Sequence, residues 1–420
     1  MHCTYLLTAG SIWSPQGLLS LGMRVLFYNH TGKISGGERV LLLALARLDR
    51  TRFDATAVCP AGPLADAIEA NGITRIEIDE FTPQMTLRPD RLVVSLVSLA
   101  ANVISLRSVI RSAAPELIHA NSIRAGIAAL FASIGTKIPV VWHIHDELKP
   151  HPLTSAIRQI ARSSRFRGVA VSKATAITFA GPVRGLNVAV VHNGVDLSEI
   201  DNAPKVDVRQ ELGFDAGSFV FGLIGQITPR KGQLELIEAF AKVSPSMPEA
   251  RLILVGSPMF ERDDSYFEQL RMRISQLGLL HRVRFLGQRS DAIGIMKDLN
   301  AVVVNSKSEA FVLVAIEAMA CGTPVIATDV GGTREMVRND ETGILVPSDD
   351  QSRLVSAMKT VYASAEARKR YRTNGRRLVE QYLNTDRFIE ELEAVLIKAG
   401  PNQSEATLPS LPASHAEQGT

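Results

Sequence analysis

Short continuous apolar runs alternate with longer amphipathic stretches along almost the whole chain. Runs of this kind read as strands buried on both faces, and the stretches between them carry a helical period. In the first half the expected strands are Arg24–Tyr28, Ala55–Cys59, Leu117–His119, Val140–His145, Gly168–Val171 and Val188–Val191. Helical patterns separate them, notably Arg39–Arg47, Pro63–Ala70, Leu92–Arg111 and Arg124–Ser133. A turn at Asn193-Gly194 and a polar stretch over 196–217 follow, and then the alternation begins again. The second series predicts strands at Val220–Gly225, Arg251–Val255, Val283–Leu286, Ala301–Asn305, Pro324–Thr328 and Ile344–Val346. Its helices are Gln233–Lys242, Tyr266–Leu277, Asp291–Asp298, Val312–Ala320 and Thr333–Val337, and from 350 the pattern is helical to about 399.

Strand and helix in alternation are the signature of βα units on a parallel sheet, so the fold class is α/β. Two series of similar length predict two Rossmann-like domains, 23–200 and 201–375, hinged near 195–215. Residues 376–399 are expected to form a C-terminal helix packing back on the first domain. The 400–420 stretch is rich in Ser, Pro, Ala and Gln and reads as a disordered tail. Residues 1–22 hold no Lys or Arg and show no clear period, while Met23 opens the first strand. They are expected to be an N-terminal extension or a misassigned start.

Composition narrows the class only a little. With 46% hydrophobic and 21% charged residues over 420 positions, the chain matches a globular protein of two cores. The net charge of +3 is small for this length and gives no reason to expect a nucleic-acid partner. Cys3, Cys59 and Cys321 are scattered without metal-like spacing and read as incidental thiols of a reducing compartment, so a cytoplasmic location is expected. The most apolar stretch, Leu92–Leu106, is interrupted by Ser95, Ser98, Asn102 and Ser105. It fits a buried or amphipathic helix better than a membrane span. Arg158, Arg162, Arg165 and Arg167 crowd one stretch, either as a solvated helix face or as a patch for anionic lipid or a phosphorylated acceptor.

Candidate chemistry gathers where expected strands hand over to helices. Ser35-Gly36-Gly37-Glu38 lies between a strand and a helix. Glycines let backbone N–H groups approach a ligand, and a helix start offers unpaired donors and a positive dipole end, which together suit a phosphate. An ordinary strand-to-helix turn would read the same way, and the dinucleotide pattern Gly-x-Gly-x-x-Gly is absent. Trp142-His143-Ile144-His145-Asp146 puts both histidines on one face at a strand's C-terminal end. That arrangement is compatible with a metal site, a sugar-lining imidazole or a buried structural pair.

The second half repeats the design. In Gln226-Ile227-Thr228-Pro229-Arg230-Lys231-Gly232, two cations follow a strand where they can hold a diphosphate, or simply face solvent. The block Ser306 to Pro324 carries Glu309 in a loop and Glu317 within an otherwise apolar helix. A carboxylate there needs a partner, either structural or a ligand hydroxyl. Asp329-Val330-Gly331-Gly332-Thr333 supplies another glycine loop at a helix start.

Glu309 and Glu317, running into Glu-Ala-Met-Ala-Cys-Gly-Thr-Pro-Val and then Gly-Gly-Thr-Arg-Glu, resemble the retaining GT-B glycosyltransferases of family 4. The similarity extends from Met23 to about 399 and includes Gly36-Gly37-Glu38, His145-Asp146, His192-Asn193-Gly194-Val195-Asp196, Lys231-Gly232 and Val255-Gly256. The resemblance implies two Rossmann-like domains facing across a cleft. It also implies metal-independent transfer of a sugar from an NDP-sugar, UDP- or GDP-linked, with retention at the anomeric carbon. By position, Glu309 would hold donor-sugar hydroxyls, Glu317 the ribose hydroxyls, and Lys231 the diphosphate. Gly36 and Gly37 would bring amides to the phosphates, His145 would line the sugar site, and the backbone at Phe311, Val312 and Leu313 would touch sugar and phosphate. Gly331 is expected to add an anion contact.

Two positions depart from the family pattern. Gln226 stands where an arginine is usual, leaving Arg230 as the replacement cation. Ala310 and Val312 stand where glycines are usual, with a tighter sugar pocket or altered donor choice as the expected consequence. The expected acceptor is a glycan, glycolipid or lipid-linked glycan of cell-surface polysaccharide synthesis, with membrane contact through the Arg158–Arg167 region. A catalytically silent nucleotide-sugar-binding protein and a metal hydrolase built on His143, His145 and Asp146 are the competing readings.

Overall fold

The computed structural model describes residues 22–81, 88–148, 150–183, 185–258 and 263–401. The expectations for the first 21 residues and for 402–420 lie outside these. The first half forms a seven-stranded sheet from β1 (Met23–Tyr28), β2 (Phe53–Cys59), β3 (Thr74–Glu77), β4 (Leu117–Ala120), β5 (Val140–Ile144), β6 (Phe166–Ala170) and β7 (Val188–Val190). Between the strands run α1 (Gly36–Arg47), α2 (Pro63–Ala70), α3 (Pro89–Ala113), α4 (Ile123–Ala132), α5 (Pro152–Ile160) and α6 (Lys173–Ala180). All pairings are parallel, in the order β3-β2-β1-β4-β5-β6-β7. The order reverses between β1 and β4, which opens a crevice at their C-terminal ends.

Two short helices, α7 (Leu197–Asn202) and α8 (Val208–Leu212), lead into the second half. Its strands are β8 (Phe219–Ile224), β9 (Ala250–Val255), β10 (Val283–Gly287), β11 (Ala301–Val304), β12 (Val325–Thr328) and β13 (Gly343–Val346). Between them lie α9 (Gln233–Val243), α10 (Asp264–Gln276), α11 (Ala292–Asp298), α12 (Leu313–Ala320) and α13 (Thr333–Met336). This six-stranded parallel sheet runs β10-β9-β8-β11-β12-β13 and reverses between β8 and β11. The chain closes with α14 (Gln351–Ala363), α15 (Ala365–Tyr382) and α16 (Thr385–Ala399).

The central strands are buried because helices cover both sheet faces. β4 and β5 in one sheet and β11 and β12 in the other are buried at every position. Each sheet has two apolar layers, one per face. The link between the halves is tied twice. The Val195 N–H donates to the Leu383 carbonyl and the Thr385 N–H to the Val195 carbonyl, and α16 then lays Phe388, Leu392 and Leu396 into the core of the first half. Tyr371, Leu378 and Val379 of α15 still belong to the second half, so the chain changes allegiance at Leu383-Asn384. Burying Phe388, Leu392 and Leu396 at roughly 1.5–3 kcal/mol each makes α16 a strong tether.

Three features differ from the sequence expectations. β3 was not expected, because Thr-Arg-Ile-Glu at a sheet edge lacks an apolar run. α5 and α6, of nine and eight residues, were not singled out either, and only α6 lacks a clear apolar face. The strand expected over Val140–His145 ends at Ile144, so His145 sits just past the strand, at the crevice.

Candidate active site

α1 begins at Gly36 rather than at Arg39, so both glycines form its first turn. Ser35 is the N-cap: Glu38 Oε2 accepts the Ser35 backbone N–H at 3.0 Å and also its hydroxyl. Glu38 therefore closes a capping box and is spent on the helix. The N–H groups of Gly36 and Gly37 belong to the turn that has no intrahelical acceptor. Gly37 also has a steric reason: a Cβ there would lie 3.2 Å from the His145 ring.

His145 is held by Asn121, which follows β4. Asn121 Nδ2 donates to Asn29 Oδ1 at 3.1 Å and to the Gly37 carbonyl at 3.2 Å. With both amide hydrogens committed, Oδ1 accepts from His145 Nε2 at 2.9 Å, which makes Nε2 the protonated nitrogen. The His143 ring lies tilted against His145 with centroids 4.1 Å apart, and His119 meets His143 edge-on at 5.3 Å. Burial lowers the pKa of His145 to about 3 and of His119 to about 4, and drives that of His143 well below the ordinary value. The cluster is neutral. Asp146 is exposed, and among the described residues no three His, Cys, Asp or Glu side chains are placed to hold a metal ion.

Across the crevice, Pro229–Lys231 makes a helical turn after β8, and Asn305 to Glu309 leaves β11. These are the two strands flanking the switch point of the second sheet. Lys231 Nζ lies 2.5 Å from Glu309 Oε1, and Arg230 Nη1 lies 3.3 Å from the same oxygen. Glu309 is buried, while Arg230 also donates to the Ser308 carbonyl at 3.0 Å. Gln226 turns away from this pair: its Nε2 donates to buried Asp263 at 3.1 Å, and its carbonyl accepts from Gln233 at 2.8 Å. Gln226 thus supplies no charge and fastens the loop.

Gly331 has φ of 49°, and a Cβ there would sit 1.9 Å from the Glu309 carbonyl. The neighbouring Gly332 N–H donates to that carbonyl at 3.0 Å. The second glycine loop therefore clamps the Glu309 loop. Val312 is buried in the core of the second half with Ala315 and Ile316, so it does not narrow the crevice as expected from sequence. Leu313 packs against both halves, and Phe311 lies 6.0 Å from the His192 ring.

The halves touch across the crevice at several points. Arg39 Nη2 of α1 lies 2.8 Å from Glu317 Oε1 of α12. Ser308 Oγ donates to Glu147 at 2.7 Å. Glu335 accepts from the backbone N–H groups of Lys173 and Ala174 at 2.8 and 3.0 Å, and from His192 Nε2 at 3.0 Å. Asn121, Arg39 and Glu335 were not singled out from the sequence. Their only signal was position: Asn121 directly after a strand, Arg39 beside the glycine pair and Glu335 beside the second. Of the arginines at 158–167, Arg158, Arg165 and Arg167 donate to backbone carbonyls and cap structure instead of lining this crevice.

The comparisons with known proteins follow the same division. The profile described as Glycosyltransferase Family 4 matches residues 34–199, and the one described as Glycosyl transferases group 1 matches residues 205–378. The chain is 36% identical over 208 residues to a D-inositol 3-phosphate glycosyltransferase of Rhodococcus erythropolis, covering 47% of this chain and 46% of that one. It thus spans about half the length of such curated relatives. It is 24% identical over 350 residues to the Escherichia coli UDP-Gal:alpha-D-GlcNAc-diphosphoundecaprenol alpha-1,3-galactosyltransferase, covering 78% of this chain and 85% of that one. Among solved structures, HepE of Anabaena in complex with UDP-glucose superposes with a TM-score of 0.75 at 29% identity, over 89% of this chain and 99% of that one. With two parallel α/β sheets meeting at their switch points and a family profile on each half, the chain belongs to the GT-B glycosyltransferases of family 4.

Proposed function

We propose that the protein transfers a sugar from an NDP-sugar, UDP-linked in the first instance, to a hydroxyl of a glycolipid or lipid-linked glycan, with retention of anomeric configuration. The observation that carries this reading is the Lys231–Glu309 pair at 2.5 Å, buried at the switch point of the second sheet and backed by Arg230. Breaking the sugar–phosphate bond leaves negative charge on the diphosphate, and fixed cations aimed there lower the barrier without reorganisation. Lys231 and Arg230 supply that charge, so the reading calls for no metal. When the diphosphate enters, it takes Lys231 from Glu309 and frees the carboxylate for hydroxyls of the donor sugar.

The remaining roles follow from position. Glu317 takes the ribose hydroxyls, and the amides of Gly36, Gly37 and Gly331 approach the phosphates from helix starts. The backbone at Phe311, Val312 and Leu313 lies along sugar and phosphate. His145, neutral with Nε2 protonated, faces the sugar from the first half. UDP is favoured because HepE, at 29% identity, was solved with UDP-glucose. A lipid-linked acceptor is favoured by the diphosphoundecaprenol substrate in the name of the Escherichia coli relative. Such a reaction belongs at the cytoplasmic face of a membrane. Three of the four arginines at 158–167 donate to backbone carbonyls, which spends those N–H groups on structure while the positive charges remain.

The test is a panel of nucleotide sugars assayed for thermal stabilisation and nucleotide release, with and without EDTA, followed by anomer analysis of the product. A UDP-sugar is expected to stabilise the protein and be turned over in EDTA. Lys231→Ala and Glu309→Gln should each lower turnover by about 100- to 1,000-fold. Absence of both stabilisation and turnover across the panel would sink the reading.

A further inference from the structure

α3 is 25 residues long and apolar enough to cross a membrane by length and composition, yet it lies on the first half. Its C-terminal part is docked: Leu106 and Ile110 are buried, and Leu99, Val103 and Val109 pack on the same core layer. The docking ends near Asn102, which accepts from Tyr28 Oη at 2.7 Å and donates to the Asp79 carbonyl at 3.4 Å. Tyr28 is the last residue of β1, and Asp79 follows β3. Asn102 is therefore level with the C-terminal edge of the sheet. The turns before it, at 1.5 Å per residue, overhang that edge by roughly 20 Å.

One face of α3 is apolar and uncovered, behind a first turn that carries exposed Arg88, Asp90 and Arg91. Val93, Val94, Leu96, Val97 and Ile104 are 55–71% exposed, and they make up half of the exposed large hydrophobic side chains among the described residues. At about 100° per residue they fill an arc of about 160°, centred on Val93 and Ile104. Arg107 and Arg111 continue the same stripe further along the helix, where Arg111 is exposed. Asp90 is the one acidic residue of α3.

An apolar stripe with Arg88 and Arg91 at one end and Arg107 and Arg111 at the other matches a lipid interface. Apolar side chains reach the acyl boundary while guanidinium groups stay at phosphate level. The docked face rules out spanning, because Asn102, Leu106 and Ile110 are held within the protein. We propose that the N-terminal half of α3 seats the protein on an anionic lipid surface, with the crevice edge of the first sheet facing that surface. Parallel strands place Gly37 and His145 on this same edge, so an acceptor held in the lipid layer would arrive beside them. The surface itself does not depend on the transferase reading.

Flotation of the full chain with phosphatidylcholine vesicles, with and without phosphatidylglycerol, tests this without donor or acceptor. The wild-type protein should float with the phosphatidylglycerol vesicles. The double substitution Val94→Asp/Val97→Asp should reduce binding by about tenfold or more, because it places charge in the stripe that the lipid would cover. Both side chains are exposed, so the melting temperature should stay unchanged. Arg111→Gln should weaken binding to phosphatidylglycerol vesicles only. Three outcomes would overturn the proposal: unchanged flotation of the double variant, equal binding to both vesicle types, or a dimer by light scattering that the same substitutions dissolve.

Discussion

Arg39 and Glu317 stand on opposite halves of the molecule and meet at 2.8 Å across the crevice, one more than half exposed and the other buried. The carboxylate engaged by Arg39 is the one assigned to the donor ribose, so arginine and donor compete for it. An ion pair with one exposed partner contributes about 0–1 kcal/mol, so Arg39→Ala should leave the melting temperature nearly unchanged. Calorimetric titration with UDP should then show affinity up to about fivefold tighter in Arg39→Ala, because the competitor is gone. Glu317→Ala should weaken UDP by roughly ten- to a hundredfold. Equal loss in both variants would mean that Arg39 helps to bind the donor.

Glu335 carries a second contact between the halves. Burial alone would raise its pKa, but hydrogen bonds from His192, Lys173 and Ala174 outweigh this and lower it. A carboxylate held below its unfolded value contributes stability above that value, and the contribution fades as pH falls through the folded one. Glu335→Ala leaves two N–H groups at the start of α6 without their acceptor, at a cost of about 1–3 kcal/mol. Small-angle scattering should show a larger radius of gyration for the variant, with the tether through α16 keeping the halves joined. An unchanged radius would show that other contacts suffice to hold the crevice shut.

The buried histidines predict acid sensitivity. His119 and His30 have pKa values lowered to about 4 by burial, and neither nitrogen of His119 has a partner. Groups that are neutral in the folded protein and titrate near 6.5 when unfolded cost nothing above that pH. Below about pH 6.5 each takes up a proton on unfolding, and stability falls at up to about 1.4 kcal/mol per pH unit per group. Melting temperature should be flat from pH 8 to 7 and fall steadily below about 6. His119→Leu removes one such group and its two unpaired nitrogens, so its melting temperature should fall less steeply. Parallel curves for the two proteins would rule out His119 as a contributor.

Val312 separates two readings of one substitution. From sequence it was expected to narrow the sugar site, whereas its side chain is buried with Ala315 and Ile316. Val312→Gly should therefore destabilise the protein by about 2–4 kcal/mol through the lost burial and added chain entropy. The ratio of kcat/KM between UDP-glucose and UDP-galactose should not move. A changed ratio would return Val312 to the pocket.

The architecture was legible in the chain because strands covered on both faces are apolar at nearly every position. β5 and β12 announce themselves in this way, and edge strand β3, with Thr-Arg-Ile-Glu, does not. The residues of the second half were legible for a related reason. Lys231, Glu309 and Glu317 sit in short, locally ordered blocks where strand end, glycine loop and helix start follow within a few positions. Their assigned roles come from the family resemblance of those blocks, since a solvent-facing cation or a structural carboxylate would read the same way.

By itself, the amino-acid order determined two parallel α/β units, the handover points between strand and helix, and the residues that gather at each. Those are consequences of local period and of chain stiffness at glycine and strand ends. Which side chains face one another across the crevice was decided only by tertiary structure. Asn121 orienting His145, Arg39 holding Glu317 and Glu335 capping α6 join residues far apart in sequence, so no local pattern encodes them. The same holds for α3, whose apolar face reads as core until the sheet edge is found to stop at Asn102. Burial is a property of what lies opposite, and the chain specifies that only once it has folded.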